Sequence, residues 1–420
     1  MKAGWKEYRF GDCVTLLSGG TPSKSRNDYW EGDLPWVSCK DMKMDRIYDA
    51  QDHLSPLGAE NGTRIVPENT ILFVVRGMIL AKDFPVAITK RPVAFNQDLK
   101  AVTCADFVET EFLYYWLKAN SYEILGRADE AGHGTKRIQT DRLLSLVIRV
   151  PSPLVQRRIA DILSAYDELI ENNQRRIKIL EEMARSLYRE WFVHFRFPGH
   201  DKIKMVTSLL GSIPQGWEVK SLNDVVEDIV DYRGKTPSKL NGEWANEGIL
   251  ALSALNVKGG RLVNLGKSRF VSDELYGRWM KNPLKRGDIL MTSEAPLGEL
   301  FFLCKEERYC LSQRLYSIRA SHRVIAPVIL YLCLESEQTQ HELSSRASGA
   351  TVSGIRQSEL RKIPIIVPAK AIQAQAEPVL SKWAELKSTL QASEVNLRLT
   401  RDLLLPRLLS GQIQSMVDVS

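Results

Sequence analysis

Between Ile159 and Trp191 the apolar residues return in alternating steps of four and three. The series runs Ile159, Leu163, Tyr166, Ile170, Asn173, Ile177, Leu180, Ala184, Leu187, Trp191, and Asn173 is its polar member. This spacing is the a/d seam of a coiled coil, narrower than the face a buried helix shows. After Pro151-Ser152-Pro153 neither Gly nor Pro interrupts it. A mid-seam Asn fixes register or orientation at some loss of stability. A rougher seam follows at Leu380, Trp383, Leu390, Leu397, Leu404 and Leu408, with Lys387, Glu394 and Arg401 in the alternate positions. Pro378 and Pro406 are read as the limits of that second helix. The two helices are predicted to pair antiparallel, the three charged seam residues turned toward a partner. Roughly 37 residues at about 1.5 Å each make a rod of about 55 Å, holding the flanking domains apart.

Before each helix the pattern is different. Short β-rich runs, such as Thr70–Val75 and Leu144–Val150, alternate with Gly, Pro, Asn and Asp turns, and a helix is predicted over Glu111–Asn120. The same order of features then appears again. Gly4-Trp5 returns as Gly216-Trp217, Thr21-Pro22-Ser23-Lys24 as Thr236-Pro237-Ser238-Lys239, and Ile71-Leu72 as Ile289-Leu290. Gln97-x-Leu99 returns as Gln313-x-Leu315, Tyr115 as Tyr331, Pro151 as Pro368 and Gln156 as Gln373. The offset of about 215 residues is far too long for a solenoid repeat, so whole domains are duplicated. The chain is therefore read as α+β: two tandem α/β domains with mixed or antiparallel sheets, separated by a long antiparallel two-helix coiled coil. The boundaries are 1–150, a helix over 151–194, a Gly/Pro-rich linker over 195–215, 216–367, and a helix over 368–412.

Composition adds little to this picture. The 420 residues carry a net charge of +6, which permits an anionic partner without requiring one. No apolar run reaches the roughly 18–20 residues of a membrane span. The six cysteines form no C-x-x-C pair and do not recur between copies, so free thiols are expected and a metal site is not. There is no G-x-G-x-x-G loop. Gly260–Ser268 imitates a phosphate loop but has five residues between its glycines rather than four. The histidines are scattered, and no carboxylate pair recurs. Any chemistry this chain serves is expected to come from another chain.

Polar loops do recur. Thr21, Ser23 and Lys24, and Lys235, Thr236, Ser238 and Lys239, join hydroxyls and cations to flexible backbone, the groups a phosphate needs. Capped turns explain the same residues taken singly. Asn96 and Gln97, with Gln313 in the second copy, place amides after a strand, where they could read adenine edges or satisfy buried backbone. A second basic loop holds Thr135, Lys136 and Arg137, partly matched by Thr351 and Arg356. Arg76 completes the first domain's candidates. The segments Ser38–Val66 and Ser253–Pro283 do not align. One carries Lys40, Lys43, Arg46, Asn61 and Arg64, the other Asn256, Lys258, Arg261, Asn264, Lys267 and Arg269. One frame with two different cationic faces suits the reading of two short sequences.

These motifs, in this order over essentially the whole chain, resemble the specificity subunit of type I restriction–modification systems. The likeness is carried by Gly-Trp at each domain start, the Gly-Gly-Thr-Pro and Gly-Lys-Thr-Pro loops, Gly287-Asp288-Ile289-Leu290, Asn96-Gln97, and the two Pro-x4-Gln joints. The resemblance implies two target-recognition domains reading the halves of a bipartite double-stranded DNA site. It implies a helix pair that spaces them and docks two methyltransferase subunits, in a prokaryotic cytoplasm. It also implies no catalytic residue and no bound cofactor in this chain. S-adenosylmethionine would belong to the methyltransferase subunits, and ATP and Mg to a translocating restriction subunit. The alternatives are a stand-alone DNA-modifying enzyme, or a coiled-coil adaptor with no nucleic-acid role.

Overall fold

A computed structural model describes residues 4–131, 134–349 and 353–413. In the first domain Ile71–Val74 is buried at every position. It lies between two antiparallel neighbours, Leu99–Cys104 and Val86–Thr89, and the helix Thr110–Ala119 packs on Val86–Thr89. Burial on both faces removes the polar–apolar alternation of a half-exposed strand. The sheet order is Val14–Ser18, Leu99–Cys104, Ile71–Val74, Val86–Thr89, Arg46–Ile47. A second sheet runs Asp52–Leu54, Leu34–Val37, Val93–Phe95, Arg64–Val66, its central pair parallel.

The second domain repeats this plan. Val226–Asp231, Leu315–Ala320, Ile289–Thr292 and Leu300–Phe302 form one sheet, and Arg269–Val271, Ile249–Leu252 and Cys310–Leu311 the other. Each domain's first strand closes on its last: Lys6–Arg9 on Val147–Val150, and Glu218–Ser221 on Pro364–Val367. Ile71, Leu99, Ile289 and Leu315 are all fully buried, so the residues shared between copies form the frame.

The repeated glutamines act at the joints. Gln156 accepts from the Glu109 N–H and donates to the carbonyls of Phe107 and Pro151. Gln373 does the same with Ala326, Val324 and Pro368. One buried amide thus satisfies three backbone groups where each long helix leaves its domain, groups that would be costly to bury unpaired.

The central helix spans Pro153–Tyr188 and the C-terminal helix Lys370–Leu409. The chain divides into two units, Met1–Ile170 with Asn396–Ser420, and Glu171–Val395, so each helix contributes to both. Within the second unit the helices pair antiparallel. Asn173 donates to the Ser393 hydroxyl at 3.2 Å, and Glu181 lies 3.5 Å from Lys387. Within the first unit Asp167 meets Arg401 at 2.5 Å. Ile159, Leu163, Ile170, Asn173, Ile177, Leu380 and Leu390 are buried, while Tyr166, Leu180, Leu187, Trp383, Leu397 and Leu404 are half-buried.

Three expectations are corrected. The C-terminal helix, Lys370–Leu409, lies within the 368–412 span but does not stop at Pro378 or Pro406, because Ile372, Ala376 and Leu380 pack its first turns onto the second domain's core and Leu408 and Leu409 its last turn onto the first domain's. The stretch 195–215 is more than a linker. Met205–Ser208 pairs with Gly211–Pro214, and Phe197 stacks on Trp217 at 5.3 Å, both rings buried. The charged seam residues face inward, not toward a partner: Lys387 pairs with Glu181, Arg401 with Asp167, and Glu394 with Arg261 and Gln174. Among the described residues no helix is long and apolar enough to cross a membrane. The six cysteines are free, and burial pushes Cys310 up to about 12.

Candidate nucleic-acid interface

The repeated loop and the repeated amide meet. In the first domain the Thr21 hydroxyl donates to Gln97 Oε1 at 2.6 Å. The glycines before Thr21 are required by packing: a Cβ at Gly19 would lie 2.1 Å from the Phe95 carbonyl oxygen, and one at Gly20 2.0 Å from that of Gly62. In the second domain Lys235 occupies the place of Gly20, and both Lys235 and Gln313 line one cavity. Gln97, Gln313, Ser23, Lys24, Ser238 and Lys239 are exposed. Lys239 and Thr236 are tied locally, to the Gly234 carbonyl and to Ser238.

A basic surface forms in the first domain. Arg76–Gly77 pairs with Lys136–Ile138, placing Arg76 directly across from Arg137. Like charges directly opposite on a sheet are destabilising. Among the described residues neither guanidinium has a carboxylate partner. The facing Asp129 is bound instead to Arg142 and Gln139. The Cys39 thiol bonds the Arg76 carbonyl, which brings exposed Lys40 to the same place. Thr135 and Lys136 are half-buried, and Lys43 is exposed. In the second domain the equivalent bridge joins Glu294 to Gly354, and Glu294 pairs with Arg314 at 3.0 Å. Arg356 is exposed two residues farther on, and Thr351 lies outside the described residues.

Several candidates are spent on the fold. Asn96 is buried and its amide oxygen accepts from the Asp98 N–H. Asn256 is buried, its oxygen holding Ser253 and its nitrogen the Val263 carbonyl and Ser268 hydroxyl. Lys235 donates to the Trp279 carbonyl at 2.7 Å, and burial lowers its pKa. Arg46 lies 3.8 Å from Glu168 on the central helix, and Arg261 3.1 Å from Glu394 on the C-terminal helix. These two arginines anchor variable segments to the helices. Beside Arg261, Lys258 is exposed on a hairpin whose turn is Gly259-Gly260, both at positive φ. This hairpin docks on the helix through Gln391 and the Gly260 carbonyl, so Gly260–Ser268 is not a phosphate loop.

The segments that do not align in sequence share two anchors in space. Asp41 and Asn256 cap the same turn, each holding a serine three residues back, Ser38 and Ser253. Ser55 and Ser272 then cap short helices after equivalent edge strands. Sequence reading missed Trp36, Trp244 and Ala251. The one signal was a tryptophan shortly after each Thr-Pro-Ser-Lys loop.

Duplicated α+β domains with one frame and unlike polar faces, each leading into a long helix, define a two-site recognition protein. Residues 2–182 and 214–398 match the family described as the type I restriction modification DNA specificity domain, and the chain belongs to that family. It is 28% identical to the type I restriction enzyme MjaIX specificity subunit of Methanocaldococcus jannaschii, over 98% of this chain and 94% of that one. It is 32% identical to the EcoR124I/EcoR124II specificity subunit of Escherichia coli, over 47% of this chain and 50% of that subunit. The crystal structure of the type I restriction-modification system S subunit from M. genitalium shares the fold. Its TM-score is 0.67 at 17% identity, covering 97% of both chains.

Proposed function

We propose that this chain is the specificity subunit of a type I restriction–modification complex. Each domain reads one half of a bipartite DNA site, and the helix pair spaces the halves and docks methyltransferase subunits. Methyl transfer from S-adenosylmethionine and ATP-driven cleavage belong to those other chains. The observation that carries the reading is the unlike pair of equivalent faces: Arg76 across from Arg137 in one domain, Glu294 across from Gly354 in the other. Docking is supported by apolar side chains left on the helices. Leu399 and Leu403 are 58% and 62% exposed, and Ile179 and Met183 are exposed as well.

Exchanging residues 3–149 for the equivalent domain of a relative is expected to change one half of the methylated site and leave the other intact. Mapping methylated adenines in DNA treated with the chain and its methyltransferase partner reads this directly. A change in both halves would sink the two-reader proposal, as would methyl transfer by the chain alone.

The basic pair gives a second expectation. A cation that neutralises one phosphate contributes about one to the log–log salt slope of duplex binding. Arg76→Ala and Arg137→Ala should each make that slope shallower by about 1, with sequence preference unchanged. Arg46→Ala should leave it as it is, because Arg46 faces Glu168. Fluorescence anisotropy between about 50 and 200 mM salt makes the comparison.

A further inference from the structure

The two domains differ at one position of the parallel strand pair. The registers Ala94↔Trp36 and Ala251↔Cys310, with Asn96 N–H on the Val37 carbonyl and Ser312 N–H on that of Leu252, make Trp36 and Ala251 equivalent. In the first domain Trp36 is 4% exposed, its indole N–H donates to the Gly20 carbonyl, and Trp30 meets it edge-on at 5.1 Å. That indole is a plug. In the second domain Ala251 replaces it, Lys235 stands in place of Gly20, and a cavity of about 550 Å³ opens. The volume lies within the roughly 300–1,000 Å³ of small-ligand sites.

The lining has a consistent chemistry. Lys235, Lys267 and Arg269 contribute three cations, and among the described lining residues none is Asp or Glu. Even the capped turn carries neutral Asn256 where the first domain has Asp41. Trp244 forms an aromatic wall with the Arg269 guanidinium 5.3 Å from its ring centre. Gln313 adds an exposed amide, donor and acceptor together. Cations without acids select an anion. The aromatic wall and amide ask for a flat, hydrogen-bonding group on the same ligand. A bare phosphate would use only half of this.

We propose that this cavity binds a single nucleotide, its base against Trp244 and its phosphate held by the exposed Lys267 and Arg269. The nucleotide is either swung out of a DNA duplex or free in solution, the two sources sharing one chemistry. The proposal goes beyond the reading of duplex DNA above, which requires no such cavity.

The test uses the full-length chain. Isothermal calorimetry with the four deoxynucleoside monophosphates, against inorganic phosphate, examines the free source. A duplex bearing one unpaired 2-aminopurine nucleotide, whose fluorescence is quenched on stacking, examines the extruded source. One of the two probes is expected to bind. Trp244→Ala should weaken it at least about fivefold, the low end of a base–aromatic stack. Lys267→Gln, an exposed change, should also weaken it. Ala251→Trp, which restores the first domain's plug, should abolish binding while the circular dichroism spectrum stays unchanged. Monophosphate binding identifies a free nucleotide; quenching of the duplex probe alone identifies an extruded one. The proposal is overturned if neither probe binds, or if Trp244→Ala and Lys267→Gln leave binding unchanged. Ordinary duplex binding, measured alongside, separates the two failures. If it persists while the cavity takes neither probe, only this inference falls; if it is absent, the DNA-reading proposal falls on its own.

Discussion

Replacing Arg401 with methionine is expected to destabilise the chain by about 3–5 kcal/mol, the usual result of removing one partner of a buried ion pair. Arg401 and Asp167 retain 11% and 5% side-chain exposure and meet at 2.5 Å. The second Asp167 oxygen accepts from the Tyr115 hydroxyl at 2.7 Å. Burial, and then the Asp167 charge, push the Tyr115 phenol well up, so it stays a donor. Without Arg401 the carboxylate keeps one hydrogen bond and loses its countercharge. The cluster ties the helix Thr110–Ala119 to both long helices, so its loss also frees the domain's seat on them. The triple change Tyr115→Phe, Asp167→Leu, Arg401→Met removes the buried phenol, carboxylate and guanidinium together at similar volume, leaving the more exposed Asp45 and Asp402, and should recover most of the loss. Urea unfolding midpoints compare the variants. A triple variant as unstable as the single one would mean that shape, rather than charge, is what the site requires.

Ile177→Asp should be equally damaging, at about 3–5 kcal/mol, because it buries a charge with no partner. Ile177 is fully buried. It sits between the Asn173–Ser393 hydrogen bond and the Glu181–Lys387 ion pair, on the same face of the central helix. The antiparallel register places buried Leu390 opposite it. Lys387 on the facing helix is already held by Glu181. Ile177→Val removes one methylene and should lose only about 0.5–1.5 kcal/mol, which separates charge from volume. Co-purification with the proposed methyltransferase partner should fail for the Asp variant and survive for the Val variant. Normal assembly and unfolding of Ile177→Asp would show that the helices do not form one seam.

What the chain declares by itself is whatever depends on nearest neighbours and on repetition. Steps of four and three from Ile159 to Trp191 are a property of one helix, and they mark its buried seam whatever packs on it. The duplicated Pro-x4-Gln joints, Ile71 with Ile289 and Leu99 with Leu315 reveal the shared frame because the same environment selects the same residue twice. Charge is different, because whether a cation is free depends on partners far away in sequence. Arg46 and Arg261 look like DNA contacts until Glu168 and Glu394 come alongside them, and Arg401 looks like an outward seam residue until Asp167 meets it. Asn256 reads as part of a DNA-reading face, yet its amide is consumed by Ser253, Val263 and Ser268. The cavity beside Trp244 needed the sheet register, which alone makes Ala251 the counterpart of Trp36. Helical periodicity is local and so legible in one strand of text. Ion pairing and the volume left by a missing indole are non-local, and only the folded chain decides them.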